Sequence, residues 1–142
     1  MTDPRALYHA TIVAHDREPH HHGPLRAATN EATIDNPLCG DQVTIRLQIV
    51  DATIVAAAFE GRGCSLSRAA ASMLTERAIG STIEEMRAFA TRVEQFVHSE
   101  PDAAIPHALG ELEALAGVRA FKSRRVCACL PFRALVAALE TG

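Results

Sequence analysis

Three of the four cysteines in this 142-residue chain have neighbours suited to a thiolate. Cys39-Gly40-Asp41 follows Pro37. Gly40 lets the backbone turn so that a thiolate and a carboxylate point to one centre, and both are zinc ligands. Gly61-Arg62-Gly63-Cys64-Ser65 joins a β-rich run to a helical one. Cys64 therefore falls at a helix N-terminus, where orphan N–H groups and the helix dipole favour the anion. Cys127 follows Arg124-Arg125, whose charges act in the same direction, and precedes the expected last helix. Each cysteine alone also fits a small buried hydrophobe. The spacing is not the C-x-x-C of a zinc knuckle, so any joint site must be assembled by the fold.

The composition narrows the setting. With 48% apolar residues, no tryptophan and one tyrosine, the chain can build an aliphatic core without staples. The length suits one domain spanning residues 1–142. A net charge of -3 gives no support to a nucleic-acid partner. No apolar run approaches the roughly 20 residues needed to cross a bilayer. The start, Met1 to Arg17, lacks the apolar stretch of a signal peptide. The expected location is cytoplasmic, where reduced cysteines favour metal or thiol chemistry over disulfides.

The elements that must position the cysteines follow from periodicity. Ala6 to Asp16 reads as a helix and Glu18 to Pro24 as a loop, followed by a short strand at Ala32 to Ile34. Val43 to Val50 alternates apolar and polar residues, and Thr53 to Phe59 is a second β-rich run across the Asp51-Ala52 turn, predicting a hairpin. Glu60 to Gly63 is expected to break the strand. Ser65 to Ile79 carries a stripe of Leu66, Ala69, Ala70, Met73 and Leu74, ended by Gly80. Ser81 and Glu84 read as a capping box for a helix with the stripe Met86, Phe89, Ala90, Val93, Phe96 and Val97. A short helix is expected over His107 to Leu115 and an extended basic segment over Ala120 to Val126. Pro131 is expected in the first turn of the last helix. The fold class is α+β: a small antiparallel sheet of about three strands with helices on one face.

Several motifs resemble one family. Asn36-Pro37-Leu38-Cys39-Gly40-Asp41 is similar to the N-P-x-C-G-D motif of the SufU branch of the IscU/NifU N-terminal family. Phe59 to Ser67 resembles that branch's F-x-G-x-G-C-x-I-S, and Arg124 to Leu130 its R-x-x-C-x-x-L. His15, Pro19 and Gly23 match H-x-x-x-P-x-x-x-G. The likeness runs from about Leu7 to Leu139. IscU proteins typically have histidine where Val126 stands, and Ser99 to Arg119 resembles the SufU insertion. The resemblance implies a zinc site with ligands Cys39, Asp41, Cys64 and Cys127, and Cys127 as acceptor of persulfide sulfur from a SufS-like cysteine desulfurase. The alternative it implies is a non-enzymatic scaffold in which Cys39, Cys64 and Cys127 hold iron or a transient [2Fe–2S] cluster. Fe–S assembly components or apo-protein acceptors would be the further partners.

The chain departs from the pattern at Cys129, Phe132 and Lys122. Cys129 reads as a buried thiol on the last helix. His20-His21-His22 reads as an exposed loop, since three adjacent imidazoles cannot face one centre. Ser65 and Ser67 read as helix-capping residues, with no Ser-His-Asp arrangement discernible. Arg124 reads as a guide for sulfur, as a competitor for the ligand set, or as a solvated cation.

Overall fold

The computed structural model describes residues 4–37, 40–106 and 108–141. The order is α1 (Pro4–Arg17), β1 (Asn30–Asn36), β2 (Asp41–Val50), β3 (Thr53–Arg62), α2 (Ser65–Ala78), α3 (Ile83–Val97), a 3₁₀ helix (Gly110–Val118) and α4 (Lys122–Leu139). The strands form one antiparallel sheet in the order β1-β2-β3. The α+β expectation holds.

Alternation sorts the sheet into two faces. Val43, Ile45 and Leu47 of β2 are buried beside Phe59 and Ala57 of β3. The opposite face is a polar ladder between directly paired residues. The Thr33 and Thr44 hydroxyls lie 2.7 Å apart, Gln42 donates to Asp35 at 2.8 Å, and Arg46 donates to Glu31 at 3.0 Å. The register between β2 and β3 slips at Gln48/Ile49, so that Ile49 faces Ile54 and Val55 is the extra residue. Side chains alternate strictly along a strand, so this bulge returns Ile54 to the core face and leaves Val55 exposed.

Helix α2 forms the centre of the helical layer. Leu66, Ser67, Ala69, Ala70, Ala71, Ser72, Met73, Leu74, Thr75 and Ala78 are all buried, so nearly its whole circumference is covered. It packs against α1, α4 and β3. Small residues let those neighbours approach closely. Its buried hydroxyls find partners: Thr75 donates to the carbonyls of Ala71 and Ser72. Asn30 at the start of β1 donates its amide to the Ala138 carbonyl, tying the sheet edge to the end of α4.

Four local expectations are corrected. Strand β3 runs on through Arg62 because Gly61 lies against β2: a Cβ there would sit 2.0 Å from the Gln42 carbonyl oxygen. The capping box is Thr82 with Glu85, one residue later than expected, with bonds of 3.1 and 3.0 Å. Backbone bonds of Ser81 and Ile83 to the β3 hairpin set that phase. The short helix begins at Gly110, since Ala108 holds a positive φ that a helix started at residue 107 could not continue, and His107 lies outside the described residues. Residues 122–126 are the first turns of α4, and Pro131 lies in its interior. Burial of Ala128, Leu130, Phe132, Ala134 and Leu135 on one continuous helix outweighs the local cost of the proline.

The hairpin turn generates a prediction. Asp51 and Ala52 both hold left-handed φ, 51° and 63°, as a two-residue type I′ turn requires. Alanine pays roughly 1–2 kcal/mol in that region, while glycine costs about 0.4–1 kcal/mol through the unfolded chain. Ala52→Gly should therefore stabilise the protein by about 0.5–1 kcal/mol, read as a higher urea midpoint at unchanged slope. A lower midpoint overturns the turn assignment.

Candidate metal centre

Asp41 opens β2, Cys64 is the N-cap of α2 and Cys127 lies in the second turn of α4. Residues 23 and 63 positions apart in sequence thus meet, and one donor atom from each lies within 4.8 Å of the other two. Cys39 lies outside the described residues. Gly40 has φ +75° and donates its N–H to the Asn36 carbonyl, which turns the chain into β2 as its sequence position implied.

The Asp41 carboxylate organises the cluster. Asp41 is only 4% exposed, so its charge must be met by donors. The backbone N–H of Cys64 donates to Oδ1 at 3.3 Å, and the Cys64 thiol donates to Oδ2 at 3.4 Å. That N–H belongs to the helix N-terminus, where an anion is favoured. Gly63 makes the space: a Cβ there would lie 2.8 Å from Asp41 Cγ, 2.9 Å from its Oδ1 and 2.9 Å from Ser67 Oγ. The two glycines of Gly61-Arg62-Gly63 thus answer two separate close approaches, one to β2 backbone and one to the Asp41 side chain.

Cys64 is exposed and Cys127 half-buried, so both sulfurs are within reach of solvent. Cys127 stands inside α4 rather than in a loop ahead of it, a correction to the sequence expectation. Pro131, which has no N–H to donate, lies four residues further along the same continuous helix. Arg124 is exposed and stacks over the Phe121 ring at 4.9 Å, so its charge sits at the start of α4. Two thiols and a carboxylate around one point make a soft, anionic donor set that suits a thiophilic divalent cation.

Cys129 takes the other side of α4 and is fully buried. Burial pushes its thiol up to about 12; the Glu94 charge adds to this, and Arg133 opposes it. The remaining candidates are also accounted for. Ser67 is buried and donates to the Cys64 carbonyl rather than capping α2, and Cys64 as N-cap makes no side-chain cap bond. His20 and His21 are exposed and share Glu76, at 3.3 and 2.7 Å, and the His21 bond holds the Glu76 carboxyl below its ordinary value. His22 packs on Phe59 and bridges β3.

The sequence showed no Ser-His-acid arrangement, yet the fold builds one from Ser72, His15 and Glu111. His15 Nδ1 lies 2.7 Å from Ser72 Oγ and its Nε2 lies 2.9 Å from Glu111. Ser72 Oγ also accepts the His20 N–H at 2.7 Å and is wholly buried, so it holds the loop after α1 rather than attacking a substrate. Residues 57 and 96 apart carry no joint signal in sequence.

The sequence and the fold have counterparts among known proteins. The chain is 37% identical over 134 residues to the "Iron-sulfur cluster assembly scaffold protein IscU" of Streptococcus pyogenes serotype M1, covering 94% of this chain and 83% of that one. It is 35% identical over 130 residues to the "Zinc-dependent sulfurtransferase SufU" of Bacillus subtilis (strain 168), covering 91% and 86%. The crystal structure of the N-terminal part of a nitrogen-fixing NifU-like protein from Brucella abortus superposes with a TM-score of 0.82 at 26% identity, over 94% of this chain and 92% of that one. Residues 7–128 match the NifU-like N terminal domain, and the chain belongs to that family.

Proposed function

We propose that this chain serves iron–sulfur cluster assembly as a zinc-dependent sulfur acceptor. Its resident metal would be held by Cys39, Asp41, Cys64 and Cys127, and its partner would be a cysteine desulfurase in the cytoplasm. The observation that carries the reading is the convergence of the Asp41, Cys64 and Cys127 donor atoms from three elements onto one point. The likeness to a protein named as a zinc-dependent sulfurtransferase supports zinc and sulfur transfer in particular. Among the described residues, no helix is long and apolar enough to cross a membrane.

Bound there, zinc would supply charge that keeps the thiols deprotonated and guarded from oxidation. The protein's own groups do the rest. Asp41, fixed by the Cys64 N–H and the space at Gly63, holds the Cys64 side in place. Cys127, half-buried in the second turn of α4, presents its sulfur to the donor. Its thiolate attacks the outer sulfur of the desulfurase persulfide. A new S–S bond forms on Cys127, the donor's S–S bond breaks, and the desulfurase cysteine leaves as a thiolate. Apo-protein acceptors or cluster-assembly components would take the sulfur onward.

A second reading makes the same cluster a scaffold on which an Fe–S cluster is built and handed on. The observation that favours it is the 37% identity to a protein named as such a scaffold. Metal content separates the two: zinc with no visible absorbance supports the acceptor, iron with a visible chromophore the scaffold.

Three outcomes are expected. Purified protein carries one tightly held zinc, which Cys64→Ser removes and Gly63→Ala weakens by about 10- to 100-fold, the effect of disturbing a group that orients a ligand; an unchanged affinity in Gly63→Ala would contradict the role given to Asp41. Chelation leaves the far-UV circular dichroism largely intact, since the core is formed by apolar packing; a collapse of the helical signal would make the metal part of the fold. Cys127→Ser abolishes stimulation of the cognate desulfurase, whereas Cys129→Ser retains most of it, and mass spectrometry finds the persulfide on Cys127. Persulfide on Cys129, or no stimulation by the wild type, would overturn the assignment.

A further inference from the structure

On the far side of α4 from Cys127, a second set of soft and hard donors converges. Cys129 is two residues on, about 200° around the helix, and so faces α3. The end of α3 offers Glu94 and, at its C-cap, His98, an i, i+4 pair. The His98 N–H still bonds to the Glu94 carbonyl at 3.1 Å, so this spacing is held by the last helical turn. Cys129 Sγ lies 3.9 Å from His98 Nε2, and the donor atoms of Glu94, His98 and Cys129 all lie within 4.8 Å of one another.

We propose that Glu94, His98 and Cys129 form a second metal site that takes one thiophilic divalent cation of the zinc class. Tetrahedral zinc, with bonds of about 2.3 Å to sulfur and 2.0 Å to nitrogen, separates those two ligands by about 3.6 Å. The observed 3.9 Å needs only a small rotamer adjustment at His98, which is exposed and free to make it. Sulfur, imidazole and carboxylate together select such a cation over magnesium or calcium, which take oxygen ligands. Arg133 donates to Glu94 Oε1 at 2.8 Å. That bond orients the carboxylate, and a carboxylate has a second oxygen to offer a metal. The Arg133 charge also opposes the cation, so this site binds more weakly than the first. Cys129 coordinates as thiolate, and its proton goes to solvent. The fourth position opens outward, past the exposed His98 and the half-buried Glu94. Because the ligands come from two helices, occupancy fastens the end of α3 to α4.

Cobalt(II) is the probe, titrated into the full chain already loaded with zinc at its tight site. The expected result is one further equivalent with a thiolate-to-cobalt charge-transfer band. Cys129→Ser abolishes the band, and His98→Ala weakens the binding at least tenfold. Zinc in the same range should raise the Tm of the wild type, and His98→Ala should cancel that rise. His98 is exposed, so its substitution tests the site even where Cys129→Ser disturbs the core. No further equivalent, or one that His98→Ala leaves unchanged, overturns the proposal. Neither result bears on the first site, whose zinc is read separately through Cys64→Ser.

Discussion

The approach of the α2 N-terminus to the first residue of β2 is the constraint on which the site depends. Among the described residues, the carboxylate buried at Asp41 is met by the backbone and thiol donors of Cys64. Gly63 leaves the space that a Cβ would take beside that carboxylate. Gly61 brings β3 against β2 at the same end of the sheet. Strand pairing, helix start and site geometry are therefore one packing problem at this corner. A side chain added at either glycine disturbs all three.

Helix α2 transmits that constraint through the molecule. It is covered on almost every side, so it cannot rotate or slide without breaking close packing. About two turns along it, the Ser72 hydroxyl links His15 of α1 and the backbone of His20. Arg119 does comparable work beside the 3₁₀ helix. Its buried guanidinium donates to the carbonyls of Pro101, Ala103 and Ala116 and to Ser99, and stacks on Phe96. A charge so placed is tolerated only when its donors find acceptors, and one residue here holds a whole loop on α3.

Helix α4 divides the thiol chemistry. One helical surface cannot present positions i and i+2 to the same neighbour, so Cys127 faces Asp41 and Cys64 while Cys129 faces α3. Cys127 is half-buried, on the side of α4 that meets Cys64 and Asp41. The buried side is shielded, and its polar neighbours are Glu94 and His98.

Local pattern makes much of this legible. The alternation of Val43 to Val50, the stripe of α2 and the glycines around Cys64 follow from nearest-neighbour geometry. The motifs around Cys39, Cys64 and Cys127 are short contiguous strings, so the sequence alone carries the family resemblance. Phase and ends are less legible where two adjacent residues are equally suited: Ser81 and Thr82 both offer a capping hydroxyl, and only backbone bonds to the β3 hairpin choose Thr82. Pro131 reads as a helix start by local rules, but the core side chains on both sides of it carry α4 straight through. The links of Ser72 to His15, of Arg119 to the 99–106 loop and of Cys129 to His98 join residues 57, up to 20 and 31 apart. No periodicity records such pairs, because contact across that distance is decided by how whole helices pack.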